Sequence, residues 1–320
     1  MAQIKWLTGL KGLLCIFIVL YHYTCRYTEI YGTSFFFSLK HGAEIGVTAF
    51  MLISGFLTLA TIEKLYSDRI KWIKNKYLRL WKPYTVCLLI TFTTLMVFGL
   101  PGRDNITFID FLKDLTMLPF IAGHIEGATW YVMSLVQYLL IIFLVSTLMR
   151  FEDIRCQWFI LLVFVLCTFV KLPITHYVEI LMGRSLFYMG GAIFLAIKNN
   201  KYVPLLILYF LLVRVPSEGI WGLSATISIV LLLYFNSSKH LTYIYKILEQ
   251  KFFVYIGGLS YVWYLIHQNV GYTIIYHLQD TFSKDALPYI ALMITFSISV
   301  LVNYLIKNNF SVVYFYGKSK

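Results

Sequence analysis

Charged side chains are scarce in this sequence, and acidic ones are scarcer than basic ones. Asp, Glu, Lys and Arg make up 13% of the 320 residues, whereas hydrophobic residues make up 59%. The mean hydropathy of +0.74 is higher than the core of a water-soluble protein of this length requires. The composition therefore excludes an ordinary soluble domain and indicates an integral membrane protein with several spans.

Cysteine motifs and low-complexity segments are also missing. The five cysteines form no C-x-x-C pair and no spacing typical of metal ligands, so we interpret them as packing residues and expect no metal. The sequence contains no low-complexity tract, no heptad array and no insertion large enough to fold as a soluble domain. We therefore predict a single transmembrane domain over residues 1–320.

Long apolar stretches are what the sequence does contain, and ten of them are long enough to cross about 30 Å of hydrocarbon. They lie near 12–27, 44–62, 83–100, 129–148, 157–172, 178–197, 201–215, 219–235, 252–276 and 287–306. The pattern predicts an all-α bundle of about ten transmembrane helices. Two stretches, 157–172 and 201–215, are short, so eight or nine spans remain the alternative. In the connection 101–128 apolar residues recur at helical spacing, which predicts a short interfacial helix.

Basic residues are concentrated in one connection, between the second and third apolar stretches. It contains Lys64, Arg69, Lys71, Lys74, Lys76, Arg79 and Lys82. Because cytoplasmic connections carry the excess of Lys and Arg, we predict that this connection and both termini face the cytoplasm. The formal net charge of +12 calls for no nucleic-acid partner, since this topology and contact with anionic membrane lipid account for it.

A single imidazole, that of His22, lies late in the first apolar stretch. Ionisable side chains are expensive in a membrane span and are candidates for function. Lys11 lies eleven residues earlier, a spacing within about 20° of three helical turns, so we expect the two side chains on one face roughly 16 Å apart. The alternative is that His22 only hydrogen-bonds to a neighbouring helix.

Five segments carry a family resemblance. The first runs from Lys5 to Gly12 and is followed by His22, and the others are Gly46 to Leu57, Lys76 to Tyr84, Thr129-Trp130 with Gln137, and Gly257 to His267. Together with Arg184, Phe187 and Gly190, they resemble in order and spacing the motifs of membrane acyltransferase family 3. The resemblance extends over essentially the whole chain.

The resemblance implies an enzyme that moves an acyl group, usually acetyl, from coenzyme A to a carbohydrate hydroxyl. The expected partners are acetyl-CoA as the acyl donor, a carbohydrate acceptor and membrane lipid, and the expected location is the bacterial inner membrane. The oligomeric state stays open. Lysine replaces family arginines at Lys5, Lys11 and Lys76, and Lys82 replaces a proline. Lysine keeps the charge but loses the bidentate fork of arginine.

The candidate site residues follow from the resemblance and from side-chain chemistry. A neutral imidazole accepts protons near neutral pH, so His22 is the candidate general base, and Glu44 is the candidate residue to orient it or to contact acceptor hydroxyls. The candidate donor-binding residues are Lys11, Ser54, Lys76, Arg79, Lys82 and Tyr84. The candidate acceptor-binding residues are Trp130, Tyr131, Arg184, Tyr261 and His267.

Three other functions remain open at this point. A transporter would also have about ten spans with intramembrane His, Arg and Glu, although inverted halves with broken helices are not visible in the sequence. A relative without catalytic activity, which only binds or flips glycan, is compatible with the lysine replacements. An acyl group other than acetyl, such as succinyl, is a variant of the enzyme hypothesis, and transfer through acyl-His22 is a variant of direct transfer.

Overall fold

The computed structural model describes residues 4–118, 121, 125–148, 184–198, 203–211, 219–235 and 241–309. These residues form helices and their connections, with no strand among them. The helices are α1 (Lys5–Tyr21), α2 (Tyr27–Tyr31), α3 (Gly42–Leu59), α4 (Ile62–Ser67), α5 (Arg69–Phe98), α6 (Phe108–Asp114), α7 (Trp130–Leu148), α8 (Arg184–Lys198), α9 (Val203–Tyr209), α10 (Ile220–Tyr234), α11 (Thr242–Leu248), α12 (Lys251–Leu278) and α13 (Leu287–Asn309). The predicted all-α fold class is confirmed.

Among the described residues, five helical segments are long and apolar enough to cross a membrane. They are Lys5–Tyr31, Gly42–Leu59, Arg69–Phe98, Gly127–Leu148 and Lys284–Asn308. Two shorter apolar helices cover Leu186–Lys198 and Ile220–Tyr234. The predicted stretch 157–172 lies outside the described residues, as do parts of 178–197 and 201–215. An integral membrane protein with an all-α bundle is therefore confirmed, without a fixed number of spans.

The basic connection between the second and third apolar stretches is mostly helix. Helix α5 begins at Arg69 and runs for 30 residues, so the basic residues from position 69 onward lie on its first turns. The side chain of Asp68 caps it by accepting a hydrogen bond from the Lys71 N–H at 2.9 Å. Pro83 lies inside the helix and has no N–H to donate to the Arg79 carbonyl. Several of the residues before Pro83 are Lys, Arg or Leu, which have high helix propensity, and this explains why α5 begins as early as Arg69.

Helices α1 and α12 run parallel and make the most extensive helix contact among the described residues. Gly12 of α1 lies against the backbone of Gly257, and Gly257 in turn lies against the Thr8 carbonyl. Just beyond the end of α1, Tyr23 packs on Gly271 of α12. Small residues permit this close approach, which is typical of helix packing in membranes. The contact aligns the second half of α1 with the second half of α12.

Helix α3 packs against both α1 and α8 through glycines. Gly46 lies against Ile18 of α1, and Gly55 and Gly190 lie against the facing backbones of α8 and α3. These contacts place α3 beside the first helix of the chain, with its own first residues near the end of α1. Helix α3 is thereby held between α1 and α8.

The short helix predicted within 101–128 is confirmed as α6. Thr107 and Asp110 form a capping box at its N-terminus: Asp110 N–H donates to Thr107, and the Asp110 carboxylate accepts from Thr107. These hydrogen bonds to Thr107 lower the pKa of Asp110. Phe111 and Asp114 are buried against the bundle. Helix α6 therefore anchors the connection that leads to α7.

Candidate active site

The first long helix changes its geometry at His22. Residues His22–Arg26 form a π-helical segment, and the Tyr27 N–H donates to the His22 carbonyl. Such segments are rare in proteins, and many of those that occur lie at functional sites. The wide turn displaces side chains from a regular helix face. The amino-acid pattern of this stretch gives no signal for the π-helical turn. His22, the candidate base, is its first residue.

His22 lies between two residues of α12. Its Nδ1 is 3.0 Å from the hydroxyl of Tyr272, and its ring meets that of His267 edge to face, with 4.8 Å between the ring centroids. The His22 side chain is half-buried, whereas His267 is completely buried. The structure thus brings together His22 and His267, the two histidines that the sequence analysis selected.

The hydrogen bonds of His267 determine which of its nitrogens is free. Its Nδ1 is 2.6 Å from the backbone carbonyl of Tyr264, and since a carbonyl only accepts hydrogen bonds, Nδ1 is the donor. In a neutral imidazole the other nitrogen, Nε2, then carries the lone pair. This Nε2 is buried and has no hydrogen-bond partner among the described residues. His267 therefore presents an unused proton acceptor next to His22.

A chain of polar aromatic residues leads away from His267. The Tyr264 ring lies 5.5 Å from the imidazole and 5.5 Å from the ring of Tyr131. The Tyr131 hydroxyl lies 2.7 Å from the hydroxyl of Ser54 on α3. Ser54 and Tyr131, which were assigned to donor and acceptor respectively, are therefore direct neighbours. Trp130 meets Tyr131 edge to face at 6.2 Å.

Arg79 of α5 lies close enough to Lys11 of α1 and to Lys76 of α5 to repel both of them. Arg79 acts electrostatically on both Lys11 and Lys76, and the Lys76 ammonium lies 5.5 Å from the centre of the Trp72 ring. No described acid forms an ion pair with any of the three cations. The Tyr261 hydroxyl donates to the Leu80 carbonyl at 2.9 Å, next to Arg79 in sequence. The cluster of Lys11, Lys76 and Arg79 is thus suited to an anion.

Glu44 has its contacts elsewhere. Its Oε1 accepts a hydrogen bond from the Gly222 N–H at 2.7 Å, and its Oε2 lies 3.2 Å from Nδ1 of His41. Glu44 therefore caps the N-terminus of α10, where a carboxylate is stabilised by the unpaired N–H groups and the helix dipole. None of its described contacts is with His22, the residue it was predicted to orient.

The remaining candidates are placed as follows. The hydroxyl of buried Tyr84 donates to the Asp114 carbonyl at 3.0 Å, which ties α5 to α6. Lys82 is half-buried on the same helix. Arg184 begins α8, and its side chain lies outside the described residues. Tyr84 is thus occupied by a structural bond.

The sequence analysis missed a buried carboxylate that bonds to α12 two residues after His267. Glu126 Oε2 accepts a hydrogen bond from the Asn269 N–H at 3.1 Å, and Oε1 accepts one from the Ala128 N–H at 3.4 Å. The Asn269 side chain donates in turn to the Ile125 carbonyl at 2.6 Å. Burial raises the pKa of Glu126 from 4.5 to about 7. The only sequence signal was its position just before the Thr129-Trp130 motif.

Tyr272, the hydrogen-bond partner of His22, was missed too. It is one of 25 tyrosines, and it follows His267 by five residues, so no motif separates it from the aromatic background. Only the pairing of α1 with α12 shows that this hydroxyl reaches the imidazole.

The whole chain was also compared with known proteins. A family model for an acyltransferase domain, that of acyltransferase family 3, matches residues 4–307. No curated protein matches the chain, and no solved structure does either. The match includes every element of the site described above.

Proposed function

The chain belongs to acyltransferase family 3 and is a membrane acyltransferase, and we propose that it moves an acetyl group from cytosolic acetyl-CoA to a hydroxyl of a cell-surface or lipid-linked carbohydrate. The observation that carries this proposal is the contact between His22, directly after α1, and His267 of α12. The half-buried member of this pair, His22, begins a π-helical turn within the first apolar segment and is held by Tyr272. An imidazole so placed is suited to general-base catalysis.

The proposed reaction has His22 as the base. His22 accepts the proton of the acceptor hydroxyl while that oxygen attacks the carbonyl carbon of the thioester. The carbon–sulfur bond then breaks, and the proton finally resides on the sulfur of coenzyme A. The products are an O-acetyl ester and the free thiol, so atoms and charges balance. Tyr272 supports this role because its hydrogen bond to Nδ1 fixes the orientation of the ring.

The basic cluster of Lys11, Lys76 and Arg79 supports the choice of donor. Coenzyme A carries several phosphate groups, and a group of cations without described acidic partners attracts such an anion. Lysines contact phosphate as point charges, so the replacement of arginine still permits this binding. The flexible pantetheine arm would extend from the cluster along Tyr261 and Tyr264 toward the histidines.

The position of His22 relative to the basic cluster supports the choice of acceptor. Helices α1, α5 and α12 run in the same direction, with the basic cluster nearer their first residues and His22 directly after the last residue of α1. If the basic end faces the cytoplasm, as the distribution of Lys and Arg predicts, His22 lies toward the opposite side of the membrane. A glycan on that side then meets the base, with Trp130 and Tyr131 as stacking surfaces.

The proposal is tested with the full-length protein in detergent, labelled acetyl-CoA and a panel of free and lipid-linked saccharides. We expect transfer of label to a saccharide, and a loss of about 100-fold or more in the His22→Ala variant. His277 is the matched control, because it is an exposed histidine whose only described hydrogen bond is to the Gly99 carbonyl. His277→Ala should keep full activity.

Two outcomes contradict the proposal. Transfer that persists in His22→Ala, with the fold intact, removes His22 as the base. Binding of acetyl-CoA by the wild-type protein without transfer to any saccharide favours a relative that has lost activity or uses another acyl group.

A further inference from the structure

His267 is an unusual residue to bury. Its side chain has no exposed surface, and only one of its two nitrogens has a partner among the described residues. A buried polar nitrogen that is left unpaired lowers the stability of the fold, and an apolar side chain of similar size would avoid this cost. A histidine that served packing alone would therefore be expected to satisfy both nitrogens. The unpaired Nε2 points to a partner that is present only during the reaction.

The order of residues along α12 places His267 on the donor side of His22. His22 bonds to Tyr272, which lies further along α12, and its ring contacts that of His267, which lies five residues earlier. His267 in turn contacts Tyr264, one turn closer to Tyr261 and the basic cluster. In a helix the side chain leans toward the preceding turn, which directs the His267 ring the same way. His267 thus lies between His22 and the proposed binding site of coenzyme A.

We propose that His267 is a second catalytic residue, which takes the proton from His22 and returns it to the sulfur of the departing coenzyme A. This inference rests on the proposed acyltransferase function. It assigns to each imidazole one side of the reaction: His22 serves the acceptor hydroxyl, and His267 serves the leaving thiolate.

The proton balance is simple. The acceptor hydroxyl loses its proton to His22, and its oxygen bonds to the thioester carbon. His22 passes the proton to Nε2 of His267, which stays bonded through Nδ1–H to the Tyr264 carbonyl. When the carbon–sulfur bond breaks, the thiolate takes the proton from Nε2, and both imidazoles are neutral again. No further reactant is needed.

The test separates Nε2 from Nδ1. In His267→Asn the amide N–H can still donate to the Tyr264 carbonyl, but no group remains to accept or return a proton. We expect kcat with acetyl-CoA to fall about 100-fold, the usual scale for loss of a general acid, with an unchanged Kd for coenzyme A. His267→Gln is the second variant, in case Asn leaves a cavity that unfolds the protein.

A change of donor gives the readout that a structural role would not move. The acetyl thioester of 4-nitrothiophenol releases a stable thiolate that needs no proton. With this donor we expect the His267→Asn variant to come within about threefold of the wild-type rate, whereas His22→Ala stays impaired because the acceptor still needs its base. His277→Asn, on the same helix but exposed, should be normal with both donors.

Each of the remaining outcomes contradicts either the role of His267 or the proposed function itself. Full activity of both His267 variants with acetyl-CoA, or an equal loss with both donors, removes the proposed role of His267 and leaves that of His22 intact. Absence of transfer by the wild-type protein from either donor overturns the proposed function, and this inference with it.

Discussion

The contact between α1 and α12 differs sharply between its two halves. In the first half Gly12 and Gly257 bring the two backbones into direct contact. In the second half imidazole and phenol rings fill the space, and α1 changes to a π-helical turn at His22. The first half fixes the register of the two helices, and the second half uses that register to bring two histidines together.

The glycine contacts of the first half hold the two helices rigidly enough for the ring contacts of the second half. A site that depends on rings 4.8 Å apart needs helices that cannot slide or separate. Backbone contact at glycines provides this rigidity, because backbone atoms cannot move aside by changing rotamer as a side chain can. The following predictions disturb one half or the other, from the largest expected effect to the smallest.

The largest effect is expected from Gly257→Ala, which disturbs the first half. The new methyl group would overlap the Thr8 carbonyl oxygen, a backbone atom that cannot rotate away. Overpacking of this kind costs about 3 kcal/mol, so we expect a lower melting temperature in detergent and nearly complete loss of transfer. The neighbour Gly258 has open space at its Cβ position, and Gly258→Ala should be neutral or slightly stabilising. Equal stability of the two variants would contradict the proposed glycine contact.

The second effect concerns the basic cluster. The double variant Lys76→Ala, Arg79→Ala should raise the Kd for acetyl-CoA by about 100-fold or more, because each charge-assisted contact contributes about 1.5–3 kcal/mol. The kcat at saturation should change by less than about threefold, since neither residue takes part in the chemistry. Lys74→Ala is the control, because Lys74 is an exposed lysine on the same helix. This variant should bind acetyl-CoA normally. Unchanged affinity in the double variant would place the donor elsewhere.

A smaller effect is expected from Tyr272→Phe in the second half. This change removes only the hydroxyl that lies 3.0 Å from His22 Nδ1. Loss of one hydrogen bond to the base should lower kcat about tenfold and leave the Kd for coenzyme A unchanged. Tyr276→Phe, one turn later on α12, removes a hydroxyl without a described hydrogen bond and is the control. A rise in Kd for coenzyme A with unchanged kcat would contradict the role given to Tyr272.

The smallest effect on transfer is expected from Glu126, whose burial should appear instead as a dependence of stability on pH. Because burial raises its pKa from 4.5 to about 7, the folded protein binds more protons than the unfolded chain between these values. Stability should therefore fall as pH rises through that range, by at most about 1.4 kcal/mol per pH unit. Arg103 and Asp114 are the charged groups that also act on Glu126. Melting temperatures from pH 4.5 to 8 should show this slope in the wild type and a weaker one in Glu126→Gln.

Much of the fold followed from hydropathy alone. The boundaries of α3, α7, α10 and α13 agree closely with predicted apolar stretches, because a span must be apolar along its length whatever its neighbours are. The start of α5 at Arg69 did not follow. Hydropathy marks where a helix enters the membrane, whereas a helix of charged residues outside it leaves no trace in an apolar window.

The site was only partly predictable for a related reason. His22 and His267 could be selected because a histidine in an apolar stretch is rare, and the structure places them in contact. Glu44 was predicted, from its position at the start of a span, to orient His22 or to contact acceptor hydroxyls, and in the structure its carboxylate caps α10. Partnerships of this kind depend on which helices become neighbours, and hydropathy carries no information about that.

The sequence by itself determined the class of the protein, the presence of most described spans and the family, because composition and motifs are properties of single segments. Tertiary structure alone decided the π-helical turn at His22, the hydrogen bond of that residue to Tyr272, and the burial of Glu126 beside Asn269. Each of these joins residues more than 140 positions apart or depends on packing around one turn. Such contacts exist only once glycines have brought the helices together.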